Sequence, residues 1–203
     1  FATFDTGGAN KNASMERQKV FMSMNGLTLT VGGHHGAARQ GGRLIGGSGF
    51  NDWGVAFISN DVGGLQADSG NNMVVSYAIG SVKLHVSTTV AAGGVTEFGV
   101  NGNVGGVSLG FGMAGGGSWI AKAGFSLGGA NISLGTNNSN DIVLVGSSAL
   151  GTGVVDFGYE RAGTATNYFA GYGQSLGGGA TASISLGSAA GDQTIGAGVI
   201  FGF

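Results

Sequence analysis

Any chemistry here has to be done with few reactive groups. Of 203 residues, 8 are Lys or Arg, 10 are Asp or Glu, 3 are His and none is Cys. Without thiols there is neither a disulfide framework nor a thiolate metal site, a composition compatible with an oxidising compartment. His34 and His35 are adjacent. Read as strand residues they point to opposite faces and cannot chelate together, so no metal site is expected. No Ser, His and Asp set stands out as a nucleophile with its base and orienter, and the chain is not expected to be an enzyme. The stretch GGSGFND at Gly46–Asp52 loosely echoes the glycine-rich calcium repeat of β-helical proteins, but one imperfect copy cannot stack. Runs such as GAGVIFG lead into no helix and so lack the dipole a phosphate loop needs. No cofactor is implied. A net charge of −2 offers no basic surface, so nucleic acid is excluded as a partner.

What remains is where the charges fall. Arg39, Arg43, Asp52, Asp61 and Asp68 sit in one stretch, about 35–71, HGAARQGGRLIGGSGFNDWGVAFISNDVGGLQADSGN. Arg17 and Lys19 share a face shortly before it. Lys83, His85, Glu97, Lys122, Asp156 and Glu160 are spread through the rest, each inside a segment that alternates with period two. The plainer reading of the loop acids is a solvated loop, and of Arg17 and Lys19 a pair of charges serving solubility or subunit packing.

The elements that must position these groups are strands. In VKLHVST, Val82, Leu84 and Val86 oppose Lys83, His85 and Ser87. In SWIAKAGFSL, Trp119, Ala121, Ala123, Phe125 and Leu127 oppose Ile120, Lys122, Gly124 and Ser126. In VVDFGYE, Val155, Phe157 and Tyr159 oppose Asp156, Gly158 and Glu160. The pattern predicts thirteen strands, at about 15–24, 27–34, 72–79, 82–90, 96–104, 107–114, 118–127, 130–136, 142–149, 154–161, 167–176, 180–187 and 194–203. A stub at 1–5, FATFD, reads as the second half of a further strand, which implies an upstream portion. Connections near Asn25-Gly26, Ile79–Ser81, Gly105-Gly106, Gly128-Gly129, Leu150–Gly153 and Gly177–Gly179 read as tight turns, Asn-Gly being a strong hairpin signal. Those near Ala91–Val95, Gly115–Gly117, Asn137–Asp141, Ala162–Thr166 and Ser188–Gln193 read as longer. The two classes alternate, as in an up-and-down meander. The 35–71 connection is far longer than the rest, and long loops in compact domains are usually functional.

Only 9% of residues are charged, against about 25–35% on ordinary soluble surfaces. No run reaches the ~18 apolar residues of a membrane helix. Collagen is excluded by the absence of Pro and of a three-residue Gly period, and disorder by the recurrent Val, Ile, Leu and Phe. An antiparallel barrel satisfies every backbone group in a bilayer, with the apolar face toward lipid and the charged face lining a water-filled lumen. Tyr77, Trp119, Phe157, Tyr159, Tyr168 and Tyr172 are placed where aromatic girdles could lie. The competing readings are a secreted glycine-rich structural or adhesive β-protein, and an outer-membrane enzyme on a smaller barrel. The first needs no alternation of turn lengths; the second needs a catalytic set at the rim.

The stretches KVFMSMNGLTLTVGG, NNMVVSYAIGSVKLHVSTTV, YGQSLGGGATASISLG and the closing IGAGVIFGF with its terminal Phe resemble, in that order and around one long loop, the sixteen-stranded trimeric general porins of alphaproteobacterial outer membranes. The resemblance covers the chain from about the third family strand onward. It implies an all-β, antiparallel transmembrane barrel over 1–203 as a single domain, N-terminally incomplete, whose loop 35–71 folds inward to narrow the pore. It implies a homotrimer in outer-membrane lipid of a Gram-negative cell, passing small hydrophilic solutes and ions. It implies that Arg17 and Lys19 form a basic wall facing loop residues Arg39, Arg43, Asp52, Asp61 and Asp68, across a gap that orients dipolar solutes. It makes Phe203 an assembly signal. The short outer loops and sparse lumen charge depart from the family, and argue against strong ion selectivity and calcium binding.

Overall fold

The turns dictate the architecture. A two-residue hairpin turn matches the right-handed twist of its strands only with φ positive at one or both central residues, which favours Gly and Asn. The chain meets this at Asn25-Gly26 (φ 49° and 82°), Gly105-Gly106 (58° and 82°), Gly128-Gly129 (59° and 86°) and Gly178-Gly179 (59° and 79°). At Gly80-Ser81 and Gly151-Thr152 the first residue alone is positive, at 59° and 60°. All six turns fall at one end of the sheet.

The computed structural model describes residues 3–5, 14–16, 19–42, 72–89, 94–189 and 191–201. Thirteen strands form one antiparallel sheet in strict sequence order. They are β3 (Lys19–Met24), β4 (Leu27–Gly32), β5 (Asn72–Ile79), β6 (Val82–Thr89), β7 (Thr96–Val104), β8 (Val107–Ala114) and β9 (Trp119–Leu127). β10 (Ala130–Asn137), β11 (Ile142–Leu150), β12 (Gly153–Ala162), β13 (Ala165–Gly177), β14 (Ala180–Ala189) and β15 (Asp192–Phe201) complete it. Among the described residues β3 and β15 are its two edges and are not paired with each other. β1 (Thr3–Asp5) and β2 (Ser14–Glu16) pair antiparallel as a separate two-stranded sheet.

The differences from the sequence reading are local. The strand expected at 15–24 is β2 followed by β3, and FATFD supplies the three-residue partner of β2. The loops expected to be long around 162–166 and 188–193 are short instead: β13 begins at Ala165, with two residues between it and the end of β12, and β15 at Asp192. The added ladder pairs, Ala162↔Ala165 and Ala189↔Asp192, satisfy backbone groups that a loop would leave to water. The strand expected to run to residue 34 ends at Gly32, whose φ of 122° breaks the pleat. His34 and His35 are therefore not strand residues. Their rings lie 6.1 Å apart at 31°, which corrects the expectation that they point to opposite faces. A six-residue helix, α1 (Ala37–Gly42), follows inside the region read as loop.

Directly opposed residues of an antiparallel pair share a face, so the register sorts the side chains. One face carries Val20, Met22, Leu27, Val75, Leu84, Phe98, Phe111, Leu134, Ile184, Ile195 and Val199, all exposed. The other carries Thr, Ser, Asn, Gly and nearly all the charges described below. A soluble protein rarely leaves an apolar surface of this extent uncovered.

Candidate functional site

The polar face is organised in rows running across the strands. Lys83, Asn101, Gly110, Lys122, Gly135, Val143, Glu160 and Asn167 form one continuous row from β6 to β13. A second row nearer the tight turns holds Ser126, Asn131, Ser147, Asp156, Gly171, Ser185 and Gly196. All six charged or imidazole groups expected on this face, Lys83, His85, Glu97, Lys122, Asp156 and Glu160, lie on it. Lys19 opens β3 on the same face. Arg161 stands on the opposite face, exposed, next to the short β12–β13 turn.

The helix α1 rests on this polar face, against β6 to β9. Six residues containing two adjacent glycines do not sustain a helix alone; the wall supplies the missing partners. The Ala37 amide donates to Ser87 Oγ at 2.7 Å, and the Ala38 amide to Glu97 Oε2 at 3.2 Å. Ser87 Oγ also donates to Glu97 Oε2, at 3.2 Å. At the other end Asn101 Nδ2 donates to the Gln40 carbonyl at 2.7 Å. Asn101 Nδ2 also lies 3.2 Å from His85 Nε2, and His85 Nδ1 lies 2.8 Å from Ser76 Oγ. An amide nitrogen can only donate, so His85 Nε2 accepts and the ring proton sits on Nδ1, facing the serine. His85 thereby holds Asn101 in the orientation that grips α1. Glu97 and His85, each 5% exposed, are buried by this contact.

Of the expected site residues, Arg39 lies on α1 and is buried against the wall. Arg17, Arg43, Asp52, Asp61, Asp68 and Phe203 lie outside the described residues. Two features were missed in the sequence. One is α1. The other is an apolar island on the polar face, where Ile120, Val143 and Val145 cluster with Phe169 packed against them. The run IVLV at Ile142–Val145 is apolar on both faces, so alternation gave β11 no inward side. Among the described residues no group of three or more His, Asp or Glu could hold a metal ion. No described helix is long and apolar enough to cross a membrane, a statement about helices alone.

The apolar face bears its aromatics toward both ends. Trp119, stacked on Phe111 at 6.3 Å, and the opposed pair Tyr159 and Tyr168 lie toward the longer connections. Tyr77 and Tyr172 lie toward the two-residue turns, and Phe157 between.

Comparison of the whole structure with solved proteins decides the architecture. A triple mutant of the Rhodopseudomonas blastica porin superposes with a TM-score of 0.66 at 21% identity, covering 97% of this chain and 80% of that one. A loop-deleted outer-membrane protein of Vibrio cholerae gives 0.69 at 12% identity, covering 98% and 82%. A further porin gives 0.66 at 17% identity, covering 91% and 80%. The chain has the fold of the outer-membrane porins. No family model and no curated protein matches its sequence. The porin fold is thus carried by a sequence only 12–21% identical to these structural neighbours.

Proposed function

We propose that the protein is a porin of the Gram-negative outer membrane, a non-catalytic channel for passive diffusion of small hydrophilic solutes and ions. The observation that carries this reading is the seating of α1 on the polar face of a meander whose other face is apolar and exposed. An apolar exterior suits lipid. Strand lengths of 8–10 residues through most of the sheet match the ~9–11 needed to cross a bilayer core at a tilt. A segment folded onto the polar face narrows whatever passes along it. In this reading the 35–71 connection is the constriction. Arg17 and Lys19 form its basic wall, Arg39, Arg43, Asp52, Asp61 and Asp68 supply its loop charges, and Lys83, His85, Glu97, Lys122, Asp156 and Glu160 line the lumen around it. Phe203 serves assembly, and the working unit is a homotrimer.

Folded protein in a planar lipid bilayer tests this. Stepwise, weakly selective conductance with increments grouped in threes is the expected result. Folded protein that inserts and never conducts refutes the channel, and single independent increments refute the trimer while leaving the channel intact.

A further inference from the structure

Over β7 and β8 the backbone of α1 lies directly against the backbone of the wall, and only positions without a Cβ permit it. A methyl group at Gly99 of β7 would fall on the Ala37 carbonyl; at Gly112 of β8, on the Ala38 carbonyl; at Gly110 of β8, on the Gly41 carbonyl and also on the Lys122 side chain. The requirement is mutual. A methyl at Gly41 would fall on the Phe111 carbonyl and lie 2.7 Å from both the Gly99 Cα and the Val100 nitrogen. At Gly42 it would fall on the Ile120 side chain, and at Gly36 on the Glu97 carboxylate. These are not turn glycines, for none has positive φ. Their lack of a side chain serves closeness alone.

From this we infer that Gly99, Gly110 and Gly112 are positioning residues that set the bore of the channel: they form a seat whose depth fixes how far α1 stands out from the wall. The inference rests on the channel reading above. The hydrogen bonds from Ala37, Ala38 and Asn101 hold the helix along the wall, while the bare strip governs its height. Carbon and carbonyl oxygen need about 3.5 Å of separation. Each added methyl therefore lifts α1 by roughly 1 Å or more into the lumen unless the wall retreats, and the wall is a hydrogen-bonded ladder on both sides of β8. The bore is thus set by what three side chains lack, a determinant that counting pore charges would overlook.

The test is single-channel conductance of Gly99→Ala, Gly110→Ala and Gly112→Ala, with Gly115→Ala as the control. Gly115 lies beyond the end of β8, where the atoms nearest to a methyl would be Val95 Cγ1 at 3.1 Å and the Thr96 carbonyl oxygen at 3.6 Å. Each seat variant should lose roughly 10–30% of unit conductance for a lift of that size and exclude polyethylene glycols of smaller size than the parent does. The control should match the parent. A structural role alone would change yield or melting temperature and leave unit conductance where it was. Should a β8 variant fail to assemble, Gly41→Ala probes the same seat from the helix, outside the strand ladder. A conducting parent with seat variants of equal or higher conductance overturns the seat and leaves the channel standing. A parent that never conducts overturns both.

Discussion

The two faces of the thirteen-stranded sheet use glycine for opposite ends. On the polar face, Gly99, Gly110 and Gly112 are left bare so that another piece of backbone can lie against them. On the apolar face, Gly146 is covered by a ring: a methyl there would meet the Phe157 ring, its directly opposed neighbour on β12, while one at Gly153 would meet the Gly173 carbonyl as well as the ring of Tyr172. An aromatic lying flat over a cross-strand glycine restores an apolar surface where a side chain is missing. A composition with 46 glycines therefore hides three separate uses, the third being the two-residue turns. Which use applies follows from the face and from what lies over it.

If the faces differ as described, charge placed on them must be tolerated very unequally. Leu134 and Ser133 are neighbours on β10, the first on the apolar face opposite Ala123 and Leu144, the second on the polar face opposite Gly124 and Val145. Leu134→Lys is expected to cost about 2–4 kcal/mol, the penalty for a lysine on the lipid side near mid-bilayer. Ser133→Lys should cost little and shift ion selectivity toward anions. Unfolding midpoints in lipid vesicles measure the first, reversal potentials the second. Equal destabilisation by the two would break the assignment of faces.

A smaller effect separates the wall under α1 from the rest of the polar face. Glu97 accepts from the Ala38 amide and from Ser87 Oγ. Hydrogen bonds to a charged acceptor exceed neutral ones by about 1 kcal/mol, so Glu97→Gln should weaken the docking of α1 by about that much and leave the ladder alone. Amide exchange at Ala37 and Ala38 should accelerate, roughly fivefold for that energy, while exchange in β13 and β14 stays unchanged. Acceleration throughout the sheet would mean that Glu97 supports the fold at large.

How much of this was legible in the sequence depended on whether a local signal existed. The sequence marks β5, β7 and β8 to the residue, because each alternates cleanly and is bounded by turn residues. The shared face of Lys83, His85, Glu97, Lys122, Asp156 and Glu160 is legible for the same reason: period two leaves a strand residue only two options. The helix was not legible. AARQGG has no amphipathic period and ends on two poor helix formers; it forms because Ser87, Glu97 and Asn101, far along the chain, complete it. The ends of β12 to β15 are not legible, because Gly163-Thr164 and the Gly191 region look like parts of longer loops although the ladder continues past them. His34 and His35 read as strand residues because the alternation of LTLTVGG gives no warning of the break at Gly32.

The smallest expected effect bears most directly on the glycine comparison. Gly146 and Phe157 are directly opposed across β11 and β12, and such pairs contribute roughly 0.2–1 kcal/mol relative to Ala–Ala. Phe157→Ala should therefore destabilise by an amount within that range. The sharper readout is a sign. With Phe157 present, Gly146→Ala puts a methyl into the ring and should destabilise. With Phe157→Ala in place the same substitution meets no ring, and should be neutral or stabilising, because alanine gives up less backbone freedom on folding than glycine. A double-mutant cycle on unfolding midpoints isolates that reversal. No such reversal is available at Gly112, where the atom met by an added methyl is a carbonyl of α1 rather than a side chain that can be removed. Reversal at one site and its absence at the other would separate a glycine that makes room for a ring from one that makes room for a backbone.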